Sequence, residues 1–241
     1  TNVIYGTSFL SLAGGLLVFL FIPDGPFRKV GQKLNLGQFL QGFRIKKFRS
    51  AALGYFGHMW EVYTFWAFVP VMLAAYNSIY PEANLNVALY SFLVIASGGP
   101  ACVLGGMLSQ QFGAGKIAAM FLALSCLCCF LSPFFLLHTS SIIFILFLFI
   151  WGITVVPDSP LFSSLVAQSA PDMVRGSSIT IVTCIGFSIT ILSIQLISIL
   201  SNSIAPQYVY MVMGIGPVLG LMAVLRTSLF PPLPPKRGYL F

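Results

Sequence analysis

Seven long runs of apolar residues dominate the chain, and short polar stretches separate them. These runs cover residues 3–22, 50–76, 85–108, 117–137, 141–166, 178–200 and 208–228. A helix needs about 20 mostly apolar residues to cross the hydrocarbon core of a bilayer, and each run has that length. The pattern predicts an all-α fold, a polytopic transmembrane helical bundle with seven spans in this chain.

The connections between spans contain residues that end or interrupt helices. Span one ends at Pro23-Asp24-Gly25-Pro26, and span seven is followed by a proline-rich segment at 231–235, which cannot continue a helix. The one long connection, residues 23–49, has apolar residues near helical spacing among Gln, Arg and Lys. It fits either a short amphipathic helix at the membrane interface or an irregular basic linker.

The composition also indicates a membrane protein. Only 7% of the residues are charged and 58% are hydrophobic, and the mean hydropathy is +0.95, whereas a soluble domain carries about 25% charged residues. In a soluble protein the net charge of +7 would suggest nucleic-acid binding. Here the basic residues lie between apolar runs, so we expect no nucleic-acid partner and interpret them as a signal of orientation.

All twelve Lys and Arg residues fall on one side of the bilayer if each span crosses once. They lie between spans one and two, three and four, and five and six, and around the end of span seven: Arg28, Lys29, Lys33, Arg44, Lys46, Lys47, Arg49, Lys116, Arg175, Arg226, Lys236 and Arg237. The positive-inside rule places this side in the cytoplasm. It predicts a multi-pass protein of the cell membrane, with the N-terminus of this chain outside and its C-terminus cytoplasmic.

Two acidic residues, Glu61 and Asp158, lie inside spans two and five. Charged groups within a membrane are rare and mark functional sites. At about 1.5 Å of rise per residue, both lie roughly 16–18 Å from the basic side, near the midplane. Two carboxyl groups at one depth are expected to face a shared water-filled cavity.

The residues around Glu61 are also able to bind protons or a polar solute. His58 precedes Glu61 by one helical turn and shares its helix face, which predicts a His–Glu pair. Trp60, Tyr63 and Trp66 add aromatic surface with hydrogen-bonding tips. The alternative is a permanently protonated Glu61 that only joins two helices through hydrogen bonds.

Asp158 stands between Pro157 and Pro160, and two prolines so close break or kink a helix. Non-helical backbone at membrane depth is tolerated only inside the protein or beside water, and interrupted helices mark binding sites in transporters. Asp158 is therefore either a binding residue or a structural partner of the freed backbone amides.

The five cysteines, Cys102, Cys126, Cys128, Cys129 and Cys184, all lie in apolar runs. Their odd number and the absence of a Cys–His metal spacing indicate neither a disulfide framework nor a metal site. We interpret them as small buried apolar side chains and expect no cofactor.

Three stretches resemble motifs of one transporter family. Residues 106–113 (GMLSQQFG), followed by Lys116, resemble the cytoplasmic motif between helices eight and nine of the major facilitator superfamily, which usually has Asp and Arg in place of Gln110 and Gln111. Residues 171–176 (PDMVRG) match its Pro-x-x-x-Arg-Gly signature between helices ten and eleven, and residues 54–61 (GYFGHMWE) resemble the start of helix seven. The chain thus resembles the C-terminal half of such a transporter, helices six to twelve.

The resemblance implies a domain organisation and a function. Residues 1–22 would be the last helix of an N-terminal bundle, 23–49 a cytoplasmic interdomain loop, 50–230 a C-terminal six-helix bundle and 231–241 a cytoplasmic tail. The chain would be a fragment of a secondary active transporter, a symporter and not an enzyme, that moves a small solute by alternating access. We expect Glu61 to carry the coupled proton, with His58 and Asp158 as partners.

The same resemblance implies a set of residues that take part in conformational change: Gly106, Gln110, Gly113, Lys116, Arg175 and Gly176. The expected partners are a small-molecule substrate, protons, the lipid bilayer and the missing N-terminal bundle of the same protein.

The alternative function is a seven-helix membrane receptor, which has the same number of spans and the same orientation. Span three lacks an Asp-Arg-Tyr-like end, and span seven lacks an Asn-Pro-x-x-Tyr pattern. Five further spans encoded before Thr1 would favour the transporter.

Overall fold

The computed structural model describes residues 2–22, 42–171 and 175–226, and none of these residues lies in a β-strand. The described helices are α1 (Asn2–Phe21), α2 (Lys46–Ile79), α3 (Val87–Ala96), α4 (Gly98–Phe112), α5 (Ala114–His138), α6 (Ser141–Thr154), α7 (Asp158–Ser169), α8 (Arg175–Leu200), α9 (Pro206–Val209) and α10 (Ile215–Leu225), with 3-10 turns at Pro81–Ala83 and Tyr210–Gly214.

The all-α fold and the seven predicted spans are confirmed, since seven helical stretches of the described chain are long and apolar enough to cross a membrane. They are Val3–Phe21, Lys46–Ile79, Val87–Phe112, Ala114–His138, Ser141–Ser169, Arg175–Leu200 and Gln207–Leu225. Span two begins at Lys46 and not at residue 50. The difference arises because hydropathy marks the part of a helix that lies in lipid, whereas the helix itself continues into basic residues.

Two predictions fall on residues that the structure leaves largely undescribed. The connection at 23–49 is described only from residue 42, so the choice between an interfacial helix and a basic linker stays open. The predicted tail at 231–241 lies outside the described residues as well.

The predicted interruption of span five is confirmed. Helix α6 ends at Thr154 and α7 begins at Asp158, and the turn between them is closed by a hydrogen bond from the Ser159 amide to the Val156 carbonyl (3.1 Å). Proline lacks an amide donor, which explains why the helical ladder stops at Pro157. The interruption places Asp158 at the first residue of a new helix.

The chain divides into two compact units, residues 1–34 and residues 35–241. The first contains α1, a helix without charged residues. The second contains spans two to seven, and in it α2 packs against α7, α8 and α10. The buried side chains of α2, among them Phe48, Met59 and Phe65, contribute to the core of this unit.

Helices α2 and α10 approach so closely that only glycine fits at their contact. A Cβ atom on Gly57 would overlap the carbonyl oxygen of Gly216, and one on Gly216 would lie 2.5 Å from the Cβ of Trp60. Small residues allow such close packing between membrane helices, where van der Waals contact replaces the hydrophobic driving force. This contact, the Gly57–Gly216 seam, joins α2 and α10, the first and last of the helices named above for the described part of the second unit.

Substitution of Gly57 tests the seam. Gly57→Ala is expected to lower the free energy of unfolding by about 1–3 kcal/mol, because the added methyl group forces the two backbones apart. Thermal unfolding of the purified chain in detergent measures the effect as a lower Tm. Gly106→Ala is the control, since a Cβ there meets nothing within 4 Å, and an equal fall in Tm for both variants would contradict the seam.

Candidate functional site

Helix α2 carries three buried polar side chains along its middle part, His58, Glu61 and Thr64. They recur every three residues, so they lie along one side of the helix. Lipid offers no hydrogen bonds to polar groups, and each of the three has a partner on a neighbouring helix. The three partners belong to different helices, and this determines what each side chain can do.

His58 contacts Asp158. Its Nδ1 atom lies 2.9 Å from Oδ1 of Asp158, and the two residues are 1% and 0% exposed. Apart from this contact, neither carboxyl oxygen of Asp158 has a hydrogen-bond partner among the described residues. The contact is an ion pair when the imidazole is protonated, and it joins α2 to the start of α7.

Glu61 is fully buried and accepts three hydrogen bonds. Oε1 accepts hydrogen bonds from Nε1 of Trp151 (2.8 Å) and from Sγ of Cys129 (3.2 Å). Oε2 accepts one from Oγ of Ser125 (2.8 Å). These donors come from α5 and α6, so one carboxyl group joins three helices. The Trp151 ring is held in turn by Phe65, whose centroid lies 4.7 Å away.

The expected pair of His58 and Glu61 is not the one that forms. Residues three apart in a helix are rotated by about 60°, so they share a side but point towards different neighbours. His58 reaches α7, while Glu61 reaches α5 and α6. The sequence placed both on one helix face without showing which helix lies opposite each of them.

The two carboxyl groups are still part of one cluster, since Asp158 contacts His58 and Glu61 follows His58 by one turn of α2. Every Lys and Arg of the described spans two to seven lies near a helix end. Within the described spans, His58 is therefore the one side chain near these acids that can carry positive charge. One imidazole can compensate only one of two carboxylates.

Three further aromatic residues of α2 occupy a different face of the helix from His58 and Glu61. Trp60, Tyr63 and Trp66 are half-buried, and the Tyr63 ring lies 5.1 Å from Trp66 and 5.5 Å from Phe187 of α8. Nε1 of Trp60 donates to the Val212 carbonyl at 3.3 Å. Nε1 of Trp66 is buried and has no partner among the described residues.

A family model for the Major Facilitator Superfamily matches residues 51–239. The chain belongs to the major facilitator superfamily. A search of curated proteins found no match.

Membership of this superfamily identifies a multi-pass membrane protein from a family of transporters, and its members are not enzymes. The match gives no support to the receptor alternative. It covers spans two to seven, which contain both acids and the aromatic residues described above.

Among the superfamily motif residues, Gln110 and Lys116 are exposed around the turn between α4 and α5. Gly113 ends α4 with a φ of +92°, a backbone conformation that favours glycine. Gly106 faces open space, but its neighbour Gly105 lies against the interruption of span five, where a Cβ would be 2.8 Å from that of Pro157. The motif helix thus contacts the turn that positions Asp158.

The second signature is described only in part. Arg175 and Gly176 begin α8 and are exposed, while residues 172–174 lie outside the described part of the chain. The structure does not bring these two residues together with His58 and Asp158, which are buried inside the bundle.

Sequence reasoning missed the three donors of Glu61. Ser125 and Cys129 are four residues apart in α5 and so share a helix face, a spacing that marks a polar stripe in an otherwise apolar span. Cys126, Cys128 and Cys129 are buried as predicted, but Cys102 is only half-buried and the prediction is wrong for Cys184, which is exposed. Cys129 also donates a hydrogen bond and does not act only as a small apolar group. The buried hydroxyl pair of Thr64 and Ser193, 2.6 Å apart, was also missed.

Removal of a donor tests the role of Glu61 as an acceptor. Ser125→Ala is expected to lower the free energy of unfolding by about 1–3 kcal/mol, because a buried carboxyl oxygen loses its partner. The Tm of the purified chain in detergent measures the loss. Ser78→Ala is the matched control, since its hydroxyl is exposed and bonds only to the carbonyl of Ala74 one turn earlier.

The Glu61→Gln/Ser125→Ala double variant separates this hydrogen bond from other effects. If the two side chains interact, the double variant loses less stability than the sum of the single variants. Strict additivity of the two losses would contradict the hydrogen bond.

Proposed function

We propose that the chain belongs to a secondary active transporter that moves a small solute by alternating access and couples this movement to protons. The observation that carries the proposal is the contact of His58 with Asp158 at the interruption of span five. Sites at broken helices near the membrane midplane are a feature of secondary transporters. We assign proton binding to this pair, with Glu61 as the second acid of the cluster.

Charge balance supports a proton-binding role. Asp158 contacts the imidazole of His58, whereas Glu61 is bonded to neutral donors, and every Lys and Arg of the described spans two to seven lies near a helix end. A proton that enters or leaves the cluster therefore changes its net charge in a medium of low dielectric constant, where uncompensated charge is costly. Each proton transfer alters the attraction between α2 and α7.

The interruption supports a link between proton binding and movement. Asp158 begins α7, and residues 155–157 separate α7 from α6. Such a junction absorbs changes of backbone angle more easily than a continuous helix does. We infer that breaking or forming the His58 contact lets α7 tilt relative to α6.

The aromatic face of α2 supports a solute path beside this cluster. Trp60 and Tyr63 present half-buried rings, and the indole N–H of Trp66 has no partner among the described residues. An orphaned buried donor is unusual. We assign it to a hydrogen bond with the solute, whose chemical class must then include an acceptor group beside apolar surface.

We further propose the domain organisation and orientation that the charges favour. In this proposal α1 is the last helix of an N-terminal bundle, residues 23–49 link the bundles, 50–230 form the C-terminal bundle and 231–241 a cytoplasmic tail. The protein lies in the plasma membrane in this proposal, and the basic ends of its spans face the cytoplasm. The N-terminal bundle completes the solute path.

Cysteine labelling tests the orientation. Glu82→Cys, in the exposed turn between spans two and three, is expected to react with a membrane-impermeant maleimide in intact cells. Lys116→Cys, exposed in the first turn of α5 next to the connection between spans three and four, is expected to react only after permeabilisation. The unsubstituted chain gives the background from its five cysteines, and labelling of Lys116→Cys in intact cells would overturn the orientation.

Proton coupling is tested by measuring transport in proteoliposomes that contain the transporter. The solute used is first identified by measuring uptake in cells. Asp158→Asn is expected to abolish acceleration by an imposed pH gradient, because the amide cannot exchange the proton. Exchange of solute across the membrane at equal concentrations is expected to continue, since it needs no net proton release. Both rates are measured with radiolabelled solute.

Glu82→Gln is the matched control, because it removes an exposed acid outside the membrane-spanning helices. It is expected to leave the response to pH unchanged. Retention of full pH-gradient acceleration by Asp158→Asn and by Glu61→Gln would defeat the proposal of proton coupling in this cluster.

A further inference from the structure

A cavity of about 400 Å³ opens at the basic end of the bundle, between the start of α2 and the end of α10. Its wall is held together by a hydrogen bond from Oγ of Ser50 to the carbonyl of Ala223, 2.8 Å long. The cavity is separate from the buried cluster of His58, Asp158 and Glu61, none of which lines it. Its function is not explained by proton binding or by the solute path.

Three cations line this cavity, Lys46 and Arg49 from α2 and Arg226 from α10. No acidic residue lines it, and the acids in the described part of the chain are Glu61, Glu82 and Asp158. Arg49 makes one contact of 3.5 Å with the Phe43 carbonyl, which leaves further N–H groups of its guanidinium available to an anion. Among the described residues, the site therefore has positive charge without an acidic partner.

The two helices present matching stripes towards the cavity. On α2 the order from the basic end is Lys46, Arg49 and Leu53, and on α10 it is Arg226, Met222 and Leu219. Because the helices are antiparallel, the cations of both helices lie at a similar depth. The apolar side chains of both helices lie deeper in the membrane. Leu53, Leu219 and Met222 are 39%, 60% and 46% exposed, so the apolar level is open to lipid.

We propose that this cavity binds an anionic phospholipid. The headgroup phosphate contacts Arg49, Arg226 and Lys46, and an acyl chain lies along the apolar stripe below them. Guanidinium groups match phosphate with paired hydrogen bonds, and basic pockets between transmembrane helices bind anionic headgroups. A free phosphate ion would contact the cations but would make no contact with the apolar side chains.

Native mass spectrometry of the purified chain in detergent tests the site with dioleoylphosphatidylglycerol as the probe. We expect this lipid to remain bound and the zwitterionic dioleoylphosphatidylcholine to bind much less. Arg49→Gln/Arg226→Gln is expected to weaken binding of the anionic lipid about tenfold or more, because two charge-assisted contacts are lost. Equal binding of both lipids would overturn the proposal.

Arg44→Gln/Lys47→Gln is the matched control, since it removes two exposed cations nearby that do not line the cavity. It is expected to change binding by less than about twofold, because neither Arg44 nor Lys47 lines the cavity. An equal loss in both double variants would show general surface attraction and overturn the site. The single variant Arg226→Gln, at the exposed end of α10, provides the same comparison if the double variant does not fold.

A substitution in the apolar stripe distinguishes binding of a lipid from binding of a soluble anion. Leu219→Gln is expected to weaken binding of dioleoylphosphatidylglycerol, and glycerol 3-phosphate is expected to compete poorly because it has no acyl chain. If glycerol 3-phosphate competes as well as the lipid does and Leu219→Gln has no effect, the cavity is a soluble-anion site and the lipid proposal fails.

Discussion

Lipid cannot satisfy polar groups, and three buried polar side chains in the middle of α2 have their partners on other helices. His58 bonds to α7, Glu61 to α5 and α6, and Thr64 to α8. Helix α2 also packs against α10 through the Gly57–Gly216 seam. Spans four to seven are thus all positioned through one helix.

The spans and their interruption could be predicted because they depend on local sequence. Twenty apolar residues are enough to identify a span, and Pro157 beside Pro160 is enough to break one. The partners of Glu61 could not be predicted, because helical spacing places a side chain on a face without showing which helix lies opposite. Ser125 is separated from Glu61 by 64 positions and Trp151 by 90, and only the packing of the bundle brings them together.

The superfamily motif between α4 and α5 shows how a surface feature and the buried cluster are connected. Gly105 lets α4 lie against Pro157, the residue immediately before Asp158. Gly113 ends the same helix in a conformation that favours glycine. This contact links α4 to the turn that holds the Asp158 carboxyl group against His58, and it does not depend on charge at Gln110 or Gln111. This contact offers a mechanical role for a motif in which Gln110 and Gln111 replace the usual charged pair.

The two buried acids differ in how firmly they are held, and this difference argues for different roles. Glu61 accepts three hydrogen bonds from two helices, so a change in its position would leave several buried donors unpaired at once. Asp158 has one contact, and it lies at a junction where the helix is already interrupted. A group that must exchange its partner during a transport cycle is better placed where few bonds have to break. Within the proposed proton-coupled cycle, we therefore assign the change of protonation to Asp158 and the positioning of the surrounding helices to Glu61.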